Sequence, residues 1–71
     1  MMATNWGSIL ANRENIVIVN NFANGTISGM EFYYKFSGTK LGGHIRNLLR
    51  TYGVEHARIL AKKALNRREL V

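Results

Sequence analysis

Ile16-Val17-Ile18-Val19-Asn20-Asn21-Phe22-Ala23-Asn24-Gly25-Thr26-Ile27-Ser28-Gly29-Met30-Glu31-Phe32-Tyr33-Tyr34-Lys35-Phe36 is the stretch whose reading decides the fold. β-Branched and aromatic residues crowd both halves, and such side chains fit a pleated, half-buried surface. Between the halves lies Ala23-Asn24-Gly25. Asn-Gly accepts the positive φ of a type I′ turn, so the segment predicts a β-hairpin with strands at about 16–22 and 26–36. With Asn24 and Gly25 in the turn, Phe22 faces Ile27, Val19 faces Met30 and Val17 faces Phe32. One face then carries Val17, Val19, Met30, Phe32, Tyr34 and Phe36, as a core face should. The other carries Ile16, Ile18, Phe22, Ile27 and Tyr33, and needs cover from an N-terminal helix or a second subunit. A bulge at Gly29 would shift this register.

Working outward, Thr4 can cap a short N-terminal helix in which Trp6, Ile9 and Leu10 fall three and four apart. Downstream, Leu41, Ile45, Leu48, Leu49 and Tyr52 form one apolar stripe at helical spacing, which predicts a helix over about 40–52. Gly53 is a natural stop. Val54, Ala57, Leu60, Ala61, Ala64 and Leu65 form a second stripe over about 54–69, with Ile59 on the opposite, polar side. Helix, hairpin, helix, helix makes an α+β domain, two C-terminal helices packed on a small antiparallel sheet.

Composition narrows the function. The chain of 71 residues is long enough for one small domain, 1–71, which buries only about 60% of its unfolded surface. No Cys is present, which removes disulfides, thiolate zinc sites and cysteine nucleophiles and fits a reducing compartment. Asp is absent too, and the four Glu at 14, 31, 55 and 69 are scattered, so no cofactor or metal is expected. His44 and His56 lack the neighbours that would make a metal site or a triad. Ser37-Gly38-Thr39-Lys40-Leu41-Gly42-Gly43 lacks the phosphate-loop order and reads as a turn with Thr39 as cap. An enzyme is not expected. The start, Met1 to Trp6, has no basic region of a secretory signal, and the Ile16–Val19 run is too short to cross a bilayer, so a cytoplasmic protein without a membrane role is expected.

Charge is the most polarised feature. Nine of the ten Lys and Arg lie between Lys35 and Arg68 against Glu55 and Glu69, a net of nine less two, or +7. The first 34 residues carry one cation, Arg13, and two acids, a net of −1. Arg46 and Arg50 on one expected helix, with Lys62, Lys63 and Arg67 on the next, could contact successive phosphates. Each such contact releases counterions and lowers the salt slope of log K by about 0.9 on duplex DNA. Cations near a helix C-terminus also complement its dipole by about 0.3–1 kcal/mol, which accounts for Arg67 and Arg68 without any ligand.

The segment Leu48-Leu49-Arg50-Thr51-Tyr52-Gly53-Val54-Glu55-His56-Ala57-Arg58-Ile59 resembles a helix-turn-helix over about twenty residues, with Gly in the turn, Val after it and Ile six beyond the Gly. The resemblance implies DNA as partner, with Glu55, His56, Ala57, Leu60 and Ala61 toward base edges and His56 or Arg58 near the groove. Leu49 stands where that motif prefers Ala, and Lys62 where it buries an apolar residue. An ordinary αα-hairpin fits the same pattern. Tyr33 is a further candidate, for stacking on an unpaired base.

Two functional classes emerge. The first is a small basic regulatory protein that binds nucleic acid, DNA in preference to RNA, through Arg46, Arg50, His56, Arg58, Lys62, Lys63 and Arg67. The second is an interaction module or inhibitor that lays the same cations and Ile59 against an acidic protein surface, an apolar centre with a polar rim. Either could act as a homodimer.

Overall fold

The structure, a computed structural model, describes the backbone of residues 6–69 and the side chains of residues 6–67. Four helices follow one another: α1 (Trp6–Ile9), α2 (Arg13–Ala23), α3 (Gly29–Phe36) and α4 (Lys40–Glu69). No strand occurs among the described residues, so the expected β-hairpin and the α+β class are both corrected to an all-helical fold. Thr4, expected to cap the first helix, lies outside the described residues.

The reason lies in the caps. Asn12 accepts a hydrogen bond from the Glu14 amide at 2.8 Å, which satisfies one of the free donors at the start of α2. Ser28 and Glu31 form a full capping box at the start of α3: the Ser28 hydroxyl oxygen accepts from the Glu31 amide at 3.1 Å, and the Glu31 carboxylate accepts from the Ser28 amide at 3.2 Å. Asn24-Gly25 is not a hairpin turn. It ends α2 in a Schellman arrangement, in which the Thr26 amide donates to the Asn21 carbonyl at 2.8 Å and the Gly25 amide to that of Phe22 at 3.2 Å. Gly25 takes the positive φ of 87° that this ending requires. The dipeptide supplies the same left-handed glycine to either structure, and capping at both ends outweighs the modest strand preference of Ile16 to Val19.

Burial confirms a period of 3.6 where alternation was expected. Val19, Phe22, Phe32 and Phe36 are buried, whereas Val17, Met30 and Tyr34, which alternation would have placed in the core, are 58%, 63% and 64% exposed. Gly29 marks no bulge. It is the buried first residue of α3, and a Cβ there would lie 2.9 Å from Val54 Cγ2.

α4 is the element on which α1, α2 and α3 all pack. Unbroken, its 30 residues would span about 45 Å. The longest extent of the molecule is 29 Å. The break is at Gly53, whose φ of 82° and ψ of 164° belong to a region essentially reserved for glycine. A first arm (40–52) and a second arm (54–69) thereby take different directions and close around the other helices. Their inner faces supply Ile45, Leu48, Ala57, Ala61 and Leu65 to a core completed by Ile9, Leu10, Val19, Phe22, Phe32 and Phe36. No polar or charged side chain is buried among the described residues, so apolar burial carries the fold.

The turn into α4 is tight. Thr39 does not cap the first arm through its side chain; its hydroxyl donates to the Phe36 carbonyl at 2.6 Å. A Cβ on Gly42 would sit 2.7 Å from that same carbonyl oxygen, whereas one on the adjacent Gly43 would meet nothing within 4 Å. Alanine gains about 1 kcal/mol over glycine in a helix interior. Overpacking against backbone costs about 1–3 kcal/mol, because backbone cannot swing aside. Gly42→Ala is therefore expected to destabilise, and Gly43→Ala to stabilise by about 0.5–1 kcal/mol. Urea denaturation of the two variants reads the opposite signs directly.

Candidate nucleic-acid interface

The apolar stripes of α4 are spent on the core, which fixes where its cations point. On the first arm Arg46 and Arg50 stand one turn apart and exposed, beside half-buried Leu49. On the second arm the buried set Ala57, Ala61 and Leu65 leaves Ile59, Lys62, Lys63 and Asn66 outermost. Ile59 is 54% exposed, with Lys62 and Lys63 three and four residues on and Glu55 four residues back. Arg67 is exposed on the same arm, and the side chain of Arg68 lies outside those described. Among the described residues, no ion pair or hydrogen bond engages the side chains of Arg46, Arg50, Lys62 or Lys63. Their charge is therefore presented to solvent.

Arg58 behaves differently. Its guanidinium donates to the Phe22 carbonyl and, at 3.1 Å, to the Ile27 carbonyl, and lies 4.7 Å from the centre of the Phe22 ring. It ties the loop after α2 to the second arm, so its charge serves the fold. His56 is exposed, its ring 5.1 Å from that of Tyr52 across the Gly53 break.

The helix-turn-helix pattern is not realised in the packing. Val54, Ile59 and Lys62, at the positions where the motif buries residues, are exposed. Ala57 and Ala61, which would face bases, have no exposed surface at all. Of the would-be recognition face, Ala57 and Ala61 are core and Leu60 is half-buried, which leaves only Glu55 and His56 exposed.

A groove of about 220 Å³ runs between the start of α3 and the first arm, lined by Gly29, Met30, Tyr33, Arg46, Leu49, Arg50 and Val54. Its surface is almost wholly apolar. The lack of a side chain at Gly29 lets Val54 close one side. Tyr33 is half-buried at this groove, and its ring centre lies 5.8 Å from that of exposed Tyr34. Arg46 and Arg50 stand on the first arm at its edge.

No protein-family model, curated protein or solved structure matches the chain. The assignment of function therefore rests on the residues themselves. Of those singled out in the sequence, the structure brings Tyr33, Arg46 and Arg50 to one groove and places Ile59, Lys62 and Lys63 on one helical face. Met30, Tyr34, Leu49 and Val54 are additions. Their signal was the capping box at Ser28: once α3 is a helix with Phe32 and Phe36 inward, Met30 and Tyr34 share its outer side. Among the described residues, no three His, Cys, Asp or Glu side chains gather as a metal site, and no helix is long and apolar enough to cross a membrane.

Proposed function

We propose that this chain is a binder of nucleic acid, holding backbone phosphates with Arg46, Arg50, Lys62, Lys63 and Arg67. The observation that carries it is that the first four, on both arms of α4, are exposed and meet no carboxylate among the described residues. Lysine and arginine on outer helix faces contact phosphate without sequence information, so affinity is general and electrostatic. A cytosolic setting belongs to the same proposal, since a small secreted domain would ordinarily be stapled by cysteines.

Five phosphate contacts imply a slope of log K against log salt of about −3.5 on single strands and −4.5 on duplex. Affinity should then fall about 100- to 500-fold between roughly 50 and 200 mM salt. Lys62→Glu combined with Lys63→Glu should weaken binding and flatten that slope. An affinity indifferent to salt would remove phosphate contact as the mechanism.

The exposure of Ile59 favours a second reading, in which the outer face of the second arm meets an acidic protein surface with Ile59 at its centre. Ile59→Glu would then abolish capture of that partner while the fold survives; it should leave nucleic-acid affinity reduced by less than the double lysine reversal does.

A further inference from the structure

Resting on the nucleic-acid reading above, we infer that the strand bound is single, and that an unpaired base seats in the groove between α3 and the first arm of α4, against Tyr33, Met30 and Leu49, with its flanking phosphates on Arg46 and Arg50. Three features of the groove point the same way. Its volume of about 220 Å³ leaves room for one ring-sized group. Its lining is nearly all apolar, so it offers burial to a flat π-face and no polar group placed to read a base edge. The aromatic surface continues outward from Tyr33 to Tyr34, which leaves 64% of itself in water in a chain that otherwise buries Phe22, Phe32 and Phe36.

Charge selects the occupant. No acid lines the groove, and the two arginines stand one helical turn apart, a spacing that suits neighbouring phosphates of an extended strand. A second copy of the chain, itself +6, would bring like charge against like. Duplex DNA keeps its bases stacked and presents only their edges, and on the helix face that could have entered its groove Ala57 and Ala61 are buried, leaving only Glu55 and His56 exposed. Further exposed cations stand on the second arm at Lys62, Lys63 and Arg67, and a number of separate positive charges suits a polyanion with one charge per unit more than a short acidic peptide.

The test compares a labelled oligothymidine with a hairpin duplex by fluorescence anisotropy, using the full chain. Wild type should bind the single strand at least about tenfold more tightly, and Tyr33→Leu/Tyr34→Leu should weaken it by about 5- to 150-fold per stacked base while leaving duplex affinity unchanged. Tyr33→Phe/Tyr34→Phe, which keeps both rings, should bind as wild type, so that loss in the leucine pair cannot be blamed on a disturbed helix. Equal affinity for both forms, untouched by ring removal, would overturn the inference while leaving phosphate contact standing. Binding of neither form would overturn both. Capture instead of an acidic amphipathic peptide, lost on Arg46→Glu/Arg50→Glu, would likewise overturn both and give the groove to a protein.

Discussion

Phe32→Ala should cost about 3–5 kcal/mol, and Tyr34→Ala, two residues away, less than about 0.5 kcal/mol. Phe32 has no exposed surface; its ring stacks on Phe22 at 4.1 Å and 7° and meets Phe36 edge-on at 5.5 Å and 86°. Truncating it removes the middle ring of three and opens a cavity between α2 and α3. A domain of 71 residues has about 4–11 kcal/mol of stability in total, so this one change removes about a quarter or more and can unfold it. The contrast with Tyr34 matters as much as the magnitude. A strand would place residues 32 and 34 on one face and make both losses large, whereas a helix separates them by about 200°. Urea denaturation of the two variants thus tests the helical reading of this segment as well as the strength of its core.

Arg58→Ala should be the most damaging change at any charged position, costing about 2–3 kcal/mol. The guanidinium holds two carbonyls, that of Phe22 in the last turn of α2 and that of Ile27 in the α2–α3 connection, and covers the Phe22 ring. Without it both carbonyls lose a charged donor at once, and the second arm loses its tie to that connection. Arg58→Lys should recover less than half the loss, because a single ammonium cannot reproduce the planar fork or its stacking. Denaturation midpoints for the three proteins check the order wild type, lysine, alanine. Folded Arg58→Lys should keep its oligonucleotide affinity within about twofold, given that a single pair of exposed lysines outweighs it in phosphate contact.

How far the sequence was legible differs from element to element. The stripes of α4 and the stop at Gly53 could be read directly, because long apolar periodicity interrupted by glycine has few other meanings. The stretch from Ile16 to Phe36 misled for two reasons. Ile16 to Val19 satisfies a strand preference and a helical stripe alike, and a short run of apolar residues does not separate periods of 2 and 3.6. Asn24-Gly25 serves a type I′ turn and a Schellman ending with the same left-handed glycine. What decided between them was Ser28-Gly29-Met30-Glu31, a capping box whose two hydrogen bonds start a helix where a strand was expected. The same misreading hid Met30 at the groove and Tyr34 beside Tyr33, since both counted as core until α3 turned them outward. Arg58 could not be sorted from its basic neighbours by sequence, because its partners are backbone carbonyls more than thirty residues away.

Amide chemical-shift mapping tests the central claim most directly. Titrating the isotopically labelled protein with an oligothymidine at low salt should move the amides of Met30, Tyr33, Tyr34, Leu49, Arg50 and Val54, with smaller shifts at Lys62 and Lys63. Those of the buried Val19, Phe22 and Ala61 should stay in place. Shifts confined to α1 and α2, or none at all, would contradict the assignment of this groove and of the cations on α4.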